Sequence, residues 1–510
     1  MTTPAPQKKS YDIIIKSGKI IDGTGAPWIH GDIGITGSRI STIGNIPSEY
    51  GEKIIDAKNL YVTPGFIDVH THVDTDIETH LDVKNYLMQG VTTVVGGNCG
   101  SSYYPLQELF KKIESRISIN FASFVGHNTI REQVMGNDDR APDDTELQCM
   151  QKLVTQEMET GALGLSTGLS YVPGRYATTE EIVELAKMIN PFHGVYATHM
   201  RNQGEFIKEA IEEAVNIGKK AGVSVQISHI KLANEKVWGK YHLIFDPINN
   251  AREAGVPVFV DQYPYTATSS GFGSSFPGWA VSGGPEKFAE RIKDKEMYQK
   301  IKDAFIKSRL TSECVNPLES IYISENENHP EYEGMNIAEI LDFLGLEKTI
   351  SNGADVIIRM YAEDQPGGVF FQMDEKDVCI LMNPEYTMIG SDGGVYSPGE
   401  GVPHPRAYGT FVRVLSRYVE KKVVSLEDAV RKMTSLPGLV MGVYQRGLIR
   451  EGMYADIVVF DGGVEDMATY KEPHQYPEGI HWVIVNGEVV VRDKEIINRN
   501  MGRILYNRNK

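Results

Sequence analysis

The middle of the chain alternates short apolar runs with longer amphipathic stretches. Each apolar run has the length of a buried strand, and each amphipathic stretch has the periodicity of a helix that packs on one face. Strands and helices that alternate in this way are typical of a parallel sheet. The eight predicted strands are residues 64–69, 91–96, 117–125, 162–166, 194–198, 224–228, 257–262 and 386–390. Eight βα units predict an α/β fold of the (β/α)8, or TIM-barrel, type.

Both ends of the chain carry a different pattern, in which short strand-like segments are separated by turn residues. The predicted strands are residues 11–16, 32–35, 39–44, 53–57, 455–460, 482–485 and 488–491. The Asn486-Gly487 pair between the last two is typical of a two-residue hairpin turn. The two ends therefore predict one small β-sandwich domain, made of residues 1–62 and 436–510, with the barrel at 63–435 inserted between them.

One part of the chain does not follow the βα repeat. Residues from about 275 to 350 separate the seventh and eighth predicted strands and include a charged helical stretch at 285–309. A connection of this length inside a compact domain usually has a functional role. We therefore expect an inserted segment that covers the active site like a lid.

Composition and charge narrow the range of partners. The formal net charge is -17 without a lysine-rich or arginine-rich run, so nucleic acid and anionic membranes would be repelled. A small molecule is the expected partner, and a homo-oligomer stays open. The N-terminal residues lack a signal-peptide pattern and no apolar stretch approaches the ~18 residues of a membrane span, which predicts a cytoplasmic protein. Four cysteines are too few for a disulfide scaffold, so we expect reduced thiols.

Residues that can bind a metal follow the predicted strands, at the ends where a barrel of this type carries its active site. His70 and His72 follow the first strand, and because side chains alternate along an extended chain, both imidazoles can face one ion. The other candidates, each at the end of a different strand, are Cys99, His199, His229 and Asp392. Imidazole and thiolate together favour zinc over magnesium or calcium, which prefer oxygen ligands. The predicted zinc ligands are His70, His72, Cys99, His199 and His229.

Each candidate also has an ordinary structural interpretation. An isolated His-x-His is weak evidence, and a single residue such as His199 can equally be a hydrogen-bonded core histidine. The coincidence of four of the thirteen histidines, one of the four cysteines and one aspartate at strand ends favours the metal site. Asp392 alone can be a ligand or a base. Beside a metal it can accept a proton from water and pass it to a leaving amine, so we assign it as the catalytic proton-transfer residue.

The chain resembles the amidohydrolase superfamily in three stretches, which are Thr-Pro-Gly-Phe-Ile-Asp-Val-His-Thr-His (63–72), Gly-Val-Thr-Thr-Val (90–94) and Gly-Met-Tyr-Ala-Asp-Ile-Val-Val-Phe-Asp (452–461). In many members of that superfamily, a carboxylated lysine from a strand in the middle of the barrel bridges two metals. Here the third predicted strand runs into Gly126-His127-Asn128 and the fourth into Ser166-Thr167-Gly168, without a lysine. Another residue must therefore supply an anionic bridge.

In finer detail the chain resembles the N-acyl-D-amino-acid deacylases, in which a cysteine that matches Cys99 takes the bridging role. Further matching motifs lie at residues 161–171, 227–231, 263–265 and 404–406. The resemblance implies that Cys99, His199 and His229 hold zinc tightly, and that His70 and His72 serve a second, weaker metal position.

The same resemblance implies a substrate and a reaction. The implied substrate-binding residues, most of them near the substrate carboxylate, are Lys231, Tyr263, Ser269, Arg406 and Tyr171. An α-carboxylate needs cationic and hydroxyl donors in a fixed arrangement, which side chains of these types can supply. The expected reaction is hydrolysis of an N-acyl-D-amino acid, or of an acylated D-residue, to a carboxylate and a free D-amino acid.

Two other functions stay open. A cyclic amidase of the dihydroorotase or hydantoinase kind shares the fold and the metal-activated water, although the missing lysine counts against it. A non-catalytic oligomeric scaffold is the second alternative, and the complete set of metal-binding and catalytic residues counts against that. Asn202 and Gln203 are neutral where the deacylases commonly carry an acidic residue, which leaves the substrate range open. We expect His127 either to line the pocket or to cap a loop.

Overall fold

In the computed structural model, which describes residues 10–310 and 316–507, the N-terminal part of the chain forms five strands. They are β1 (Tyr11–Ile20), β2 (Ile29–Thr36), β3 (Arg39–Gly44), β4 (Gly51–Asp56) and β5 (Tyr61–Pro64). Isoleucines fill much of this segment, and β-branched side chains pack well on a pleated sheet. The sequence predicts the first four strands but misses β5, because its residues run directly into the next apolar run.

Strands and helices then alternate, as the sequence predicts. The strands are β6 (Phe66–Asp68), β7 (Val91–Gly96), β8 (Asn120–Ser123), β9 (Val125–Gly126), β10 (Gly164–Gly168), β11 (Val195–His199), β12 (Ser224–Ile227) and β13 (Val258–Gln262). The helices are α1 (Lys84–Leu87), α2 (Leu106–Ile113), α3 (His127–Met135), α4 (Asp144–Thr160), α5 (Thr179–Ala186), α6 (Ile207–Ala221) and α7 (His242–Glu253). Helix α6 is typical, because its buried residues Ile207, Ile211 and Ala214 recur on one face.

The inserted segment follows β13 and contains both strands and helices. Its elements are β14 (Ala267–Gly271), α8 (Gly278–Val281), α9 (Pro285–Arg291), α10 (Lys295–Phe305), α11 (Pro317–Ser320), β15 (Ile321–Glu325), α12 (Ile337–Phe343), α13 (Ile350–Glu363) and β16 (Gly367–Phe371). The three strands pair antiparallel in the order β14, β16, β15.

The helical stretch predicted at 285–309 is divided into two helices. Asp294 separates them, and its carboxylate caps the start of α10 by accepting a hydrogen bond from Met297 N. The segment has a core of its own in which the rings of Phe276, Phe288 and Tyr361 contact one another. Strands β14 and β16 extend it beyond both ends of the predicted range of 275–350.

The chain continues through α14 (Glu375–Met382), β17 (Thr387–Ile389), α15 (Arg406–Arg413), α16 (Leu426–Met433) and α17 (Ser435–Val440). It ends in β18 (Ile457–Glu465), β19 (Glu478–Val485), β20 (Glu488–Arg492) and β21 (Glu495–Ile496). These last strands join β1 to β5 in one nine-stranded sheet, in which β18 pairs antiparallel with β5. The two ends of the chain therefore meet in the same sheet.

Two parallel sheets position the site. One consists of β6, β7 and β8, and the other has the order β17, β13, β12, β11, β10, β9. A single residue, Phe124, separates β8 from β9, and a parallel bridge joins Thr71, after β6, to Gly393, after β17. Because the strands run parallel, their carboxyl ends lie at one edge, where ligands bind in folds of this class.

Two expectations from composition can be compared with the structure. Among residues 10–310 and 316–507, no helix combines the length and the apolar character needed to cross a membrane. Cys99, Cys149 and Cys379 are free thiols, as predicted. Cys314 and the N-terminal residues 1–9 lie outside the described residues.

Candidate metal centre

The carboxyl ends of the parallel strands bring the predicted metal-binding residues to one place. The residues that follow or end these strands are His70, His72, Cys99, His199, His229 and Asp392, which we call the metal cluster. Four of these residues are buried, namely His70, Cys99, His229 and Asp392. Each offers one ligand atom, and these four atoms lie within 4.8 Å of one another.

His199 and His72 extend this group of four. His199 Nδ1 lies 2.9 Å from His229 Nε2 and 3.7 Å from Cys99 Sγ. His72 Nε2 lies 3.0 Å from Asp392 Oδ1, and the His72 side chain is 34% exposed. The structure therefore brings together every residue that the sequence proposed as a metal ligand or proton-transfer group.

Three residues of the metal cluster have a left-handed backbone conformation, which residues other than glycine rarely adopt. The φ angles are 52° at Cys99, 39° at His229 and 54° at Asp392. Hydrogen bonds hold two of them, because His229 N donates to Asp261 Oδ1 and Asp392 N donates to His70 O, both over 2.8 Å. Such strain concentrates at functional sites, so these conformations support a functional role for the cluster.

The turn that carries Cys99 requires glycine at two positions. Gly97 has a φ of 69°, and a Cβ there would lie 2.3 Å from Phe124 O. Gly100 has a φ of 81°, and a Cβ there would lie 2.2 Å from Asn128 Oδ1. Both distances are far too short for a side chain, so the two glycines let the turn pack against its neighbours and place Cys99 in the cluster.

Asp261, in β13, supports two imidazoles of the cluster, although the apolar pattern of the sequence does not single it out. Its Oδ1 lies 3.0 Å from His70 Nδ1 and accepts the hydrogen bond from His229 N, while Oδ2 accepts one from Gln226 Nε2 over 2.6 Å. A His70 ring that donates through Nδ1 leaves Nε2 available for a metal. The signal in the sequence is an acidic residue directly after the apolar run 258–260.

Two loop residues also contact the cluster. Ser170 Oγ lies 2.8 Å from His199 Nε2, and Gln203 Nε2 lies 2.9 Å from His229 Nδ1. The Gln203 amide in turn accepts a hydrogen bond from Lys231 Nζ over 2.6 Å. In the sequence, Gln203 departs from the family pattern, and Ser170 is distinguished only as a member of the motif at 161–171.

The charges of the cluster favour an anionic thiol and an anionic carboxyl group. Burial alone would raise the pKa of Cys99, but the charge of His70 and hydrogen bonds with the neighbouring imidazoles hold it well below its ordinary value. Burial would likewise raise the pKa of Asp392, but the charges of Arg406 and His70 hold it well below the usual range. The two anions can bind a cation and accept a proton.

The donor chemistry of the cluster fits zinc. A thiolate combined with imidazoles is a borderline-to-soft set, whereas magnesium and calcium prefer oxygen. Strands β8, β9 and β10 contain no lysine, so a carboxylated lysine is not available from them. Cys99 Sγ lies 3.3 Å from His70 Nε2 and 3.6 Å from His229 Nε2, within reach of both sets of imidazoles.

The predicted substrate-binding residues line a cavity of about 590 Å³, which every residue of the cluster except His70 also lines. They are Tyr171, Lys231, Tyr263, Ser269 and Arg406. Arg406 Nη1 lies 2.7 Å from Asp392 Oδ2, and the guanidinium lies 4.9 Å from the centre of the Tyr263 ring. Ser269 accepts a hydrogen bond from Arg406 Nη2 through its backbone oxygen over 3.3 Å.

Several donors of this cavity have no aligned partner in the described residues. Arg406 Nη1 and Tyr263 Oη are buried without a hydrogen bond, although the Arg406 atom is close enough to Asp392 for an ion pair. Burial lowers the pKa of Lys231 to about 7, although the charge of Asp392 opposes that shift. Buried polar atoms normally find a partner, and these donors suit an anionic group such as a carboxylate.

His127 has a structural position. It is fully buried, its Nε2 lies 2.8 Å from Glu181 Oε1, and its Nδ1 lies 3.3 Å from Asn128 Oδ1. It does not line the cavity that contains the cluster. Of the two roles left open by the sequence, the structure therefore excludes the first.

Comparison with known proteins adds a second line of evidence on the family to which this chain belongs. The model of the amidohydrolase family matches residues 53–256 and 380–491. The chain is 34% identical to D-aminoacylase from Alcaligenes xylosoxydans xylosoxydans, over 97% of each chain. The chain also matches a crystal structure of N-acyl-D-glutamate deacylase from Bordetella bronchiseptica, which was solved with zinc and a phosphonate inhibitor. The TM-score is 0.84 and the identity 32%, over 98% of this chain and 100% of that chain. A D-hydantoinase structure, 15% identical with a TM-score of 0.60 over 98% and 99% of the two chains, shares the fold alone.

Proposed function

Since this chain belongs to the N-acyl-D-amino-acid deacylase family of the amidohydrolases, we propose that it uses zinc to hydrolyse N-acyl-D-amino acids to a carboxylate and a free D-amino acid. One observation carries the proposal. The cavity beside the metal cluster is also lined by the cationic side chains of Arg406 and Lys231 and by the buried hydroxyl of Tyr263, which has no hydrogen-bond partner among the described residues. A substrate whose amide bond is adjacent to a free carboxylate fits both halves of that arrangement.

Cys99, His199 and His229 would hold one zinc ion tightly, and His70 with His72 would serve a second, weaker position. When bound, zinc polarises the scissile carbonyl and lowers the pKa of a water molecule. The position of Cys99 Sγ between His70 and His229 supports its role as the anionic bridge. The 34% exposure of the His72 side chain supports the weaker of the two positions.

Asp392 supplies the proton transfer. Its low pKa makes it a carboxylate that can take up a proton when the oxygen of the attacking water adds to the carbonyl carbon. It then gives this proton to the nitrogen as the carbon–nitrogen bond breaks. The acyl part leaves as a carboxylate, and the second proton of the water also passes to the nitrogen, which leaves as the ammonium group of the free D-amino acid.

Arg406, Tyr263 and Lys231 would bind the α-carboxylate of the substrate. The guanidinium carries five N–H groups. Nη1 faces Asp392 and Nη2 donates to Ser269 O, and the remaining N–H groups can bind a second carboxylate. Lys231 adds a second basic group at the same wall. Ser269 and Tyr171 would complete the binding site, and the Tyr171 ring lies 4.5 Å from that of His199.

A cyclic amidase is the less favoured alternative. A hydantoin lacks the free carboxylate that Arg406 and Tyr263 suit, whereas dihydroorotate carries one on its ring. Strands β8 to β10 lack the lysine that bridges two metals in many such enzymes. The similarity to D-hydantoinase extends to the fold alone.

The same proposal includes the architecture. The two parallel sheets would form one closed (β/α)8 barrel, supported by the single residue between β8 and β9 and by the hydrogen bond of 2.8 Å from His72 N to Gly393 O. Residues 1–62 and 436–510 would form the small β-domain, and 63–435 the barrel. The inserted segment would cover the cavity, because Ser270, Ser324 and Gly367 lie in the cavity wall.

The test is a substrate panel. Purified protein with zinc would be offered N-acetyl derivatives of the same amino acids in both stereochemical series, together with a hydantoin and dihydroorotate. We expect release of free amino acid from the D series alone. Hydrolysis of the cyclic amides without any release from N-acetyl-D-amino acids would contradict the proposal and favour the cyclic amidase.

A further inference from the structure

We propose that Ser170 is a positioning residue that selects the imidazole tautomer with which His199 binds zinc. The proposal rests on the proposed function, because it concerns the same metal cluster. Ser170 Oγ lies 2.8 Å from His199 Nε2. The other ring nitrogen, Nδ1, is the one that faces Cys99 Sγ and His229 Nε2.

The tautomer matters because a neutral imidazole carries one hydrogen. The nitrogen that binds a metal must offer its lone pair, so the hydrogen has to lie on the other nitrogen. For His199 this is Nε2, and the Ser170 hydroxyl is placed to accept the hydrogen bond that it donates. Without this acceptor, the tautomer with hydrogen on Nδ1, which points a hydrogen at the metal position, becomes more competitive.

His199, which is half-buried, differs from the buried histidines His70 and His229 in the ring nitrogen that it directs at the cluster. His70 and His229 both face Cys99 Sγ through Nε2, and their Nδ1 atoms lie near Asp261 and Gln203. His199 faces it through Nδ1. Its support must therefore reach Nε2, and the loop that follows β10 provides the hydroxyl.

The backbone around Ser170 holds the hydroxyl in place. Gly168 and His199 are register partners in the parallel strands β10 and β11, and Leu169 N donates to His199 O over 2.9 Å. Asn128 bonds both backbone groups of Gly168, since Oδ1 accepts from Gly168 N over 3.2 Å and Nδ2 donates to Gly168 O over 3.1 Å. Ser170 therefore begins its loop from a fixed position beside His199.

The experiment measures zinc affinity by competition with a chelator. Four variants would be compared with the wild type, and they are Ser170→Ala, Ser170→Thr, Ser170→Val and Ser101→Ala. The last is the control, because Ser101 is an exposed serine that lines the same cavity. Threonine and valine have nearly the same shape, but only threonine keeps the hydroxyl. Loss of a partner that orients a metal-binding histidine typically costs about 10- to 100-fold in metal affinity. We expect that loss for alanine and valine, and affinity near the wild type for threonine and for the Ser101 control.

Two further readouts separate orientation from folding. The Tm of the metal-free protein should be the same in the threonine and valine variants, and the visible spectrum of the cobalt-loaded protein should change in the valine variant alone. Equal zinc affinity of Ser170→Thr and Ser170→Val would overturn the inference. Wild-type protein that neither binds zinc nor hydrolyses N-acetyl-D-amino acids would instead contradict the proposed function.

Discussion

The metal cluster and the proposed carboxylate-binding wall, which consists of Lys231, Tyr263 and Arg406, lie at the same cavity but are built differently. The cluster residues follow neighbouring parallel strands, and partners such as Asp261 and Ser170 contact the ring nitrogens that face away from Cys99. The wall draws Tyr263 from the residue after β13 and Arg406 from the first residue of α15, and among the described residues the buried Tyr263 hydroxyl has no hydrogen-bond partner. We therefore expect the proposed metal site to be preorganised, and the Tyr263 hydroxyl to gain its partner when a carboxylate binds.

Replacement of Asp392 should have the largest effect. Asp392→Ala removes the proton-transfer group, and such groups contribute about 10²- to 10⁴-fold to the rate. We expect kcat to fall by at least this range while zinc stays bound, because the thiol and imidazole ligands remain. Steady-state kinetics and metal analysis of the same sample check both points. A variant that keeps its activity would remove Asp392 from the mechanism.

Replacement of Cys99 tests the cluster itself. Cys99→Ala deletes the thiolate, which is a proposed metal ligand itself. Loss of a residue that only hydrogen-bonds to a metal ligand costs up to about 100-fold in affinity, so zinc affinity should fall by more than that. Chelator competition measures this loss. Cys149→Ala is the matched control, since Cys149 is an exposed free thiol on α4, and its zinc affinity should equal that of the wild type. Equal affinities for the two variants would mean that Cys99 does not bind the metal.

Replacement of Arg406 tests the proposed carboxylate-binding wall. A hydrogen bond to a charged group contributes about 1.5–3 kcal/mol, so Arg406→Ala should lower kcat/KM by about 10- to 100-fold, mainly through KM. Zinc content should not change. Arg406→Lys keeps the positive charge but loses the planar guanidinium, so its kcat/KM should lie between those of the wild type and Arg406→Ala. If Arg406→Ala loses zinc, the separation between cluster and wall is wrong.

Replacement of Asp261 should have the smallest effect of the four. Asp261→Asn keeps an oxygen that can accept from His70 Nδ1 but loses the charge, so we expect zinc affinity to fall by about 10-fold, the low end for such partners. Isothermal titration of the metal-free protein measures it. An affinity equal to the wild type would show that the contact between Asp261 and His70 does not orient a ligand.

The sequence predicts the cluster well because strand polarity does most of the placement. Once the apolar runs are recognised, the residues that closely follow them, such as Cys99 or His229, must lie at one edge of a parallel sheet. Strand polarity does not identify Asp261, because this residue lies within a strand and its partner His70 is 191 positions away in the sequence. Its role depends on which strands are neighbours, which no local pattern reports.

The inserted segment shows the same limit. Its charged helices follow a local periodicity and are predicted, but β14 pairs with β16 across about a hundred residues, with Ala267 opposite Phe371. Apolar patterning alone does not identify such distant partners. Strand β5 is missed for a related reason, since Tyr61–Pro64 runs into β6 without an intervening turn signal.

The most direct test of the account is a zinc titration of metal-free protein, with hydrolysis of an N-acetyl-D-amino acid and of its L isomer as the readout. The account predicts no turnover without zinc, and activity on the D isomer alone that rises to its maximum as the first equivalent of zinc per chain binds. Full activity without zinc, or equal rates on the two isomers, would contradict it.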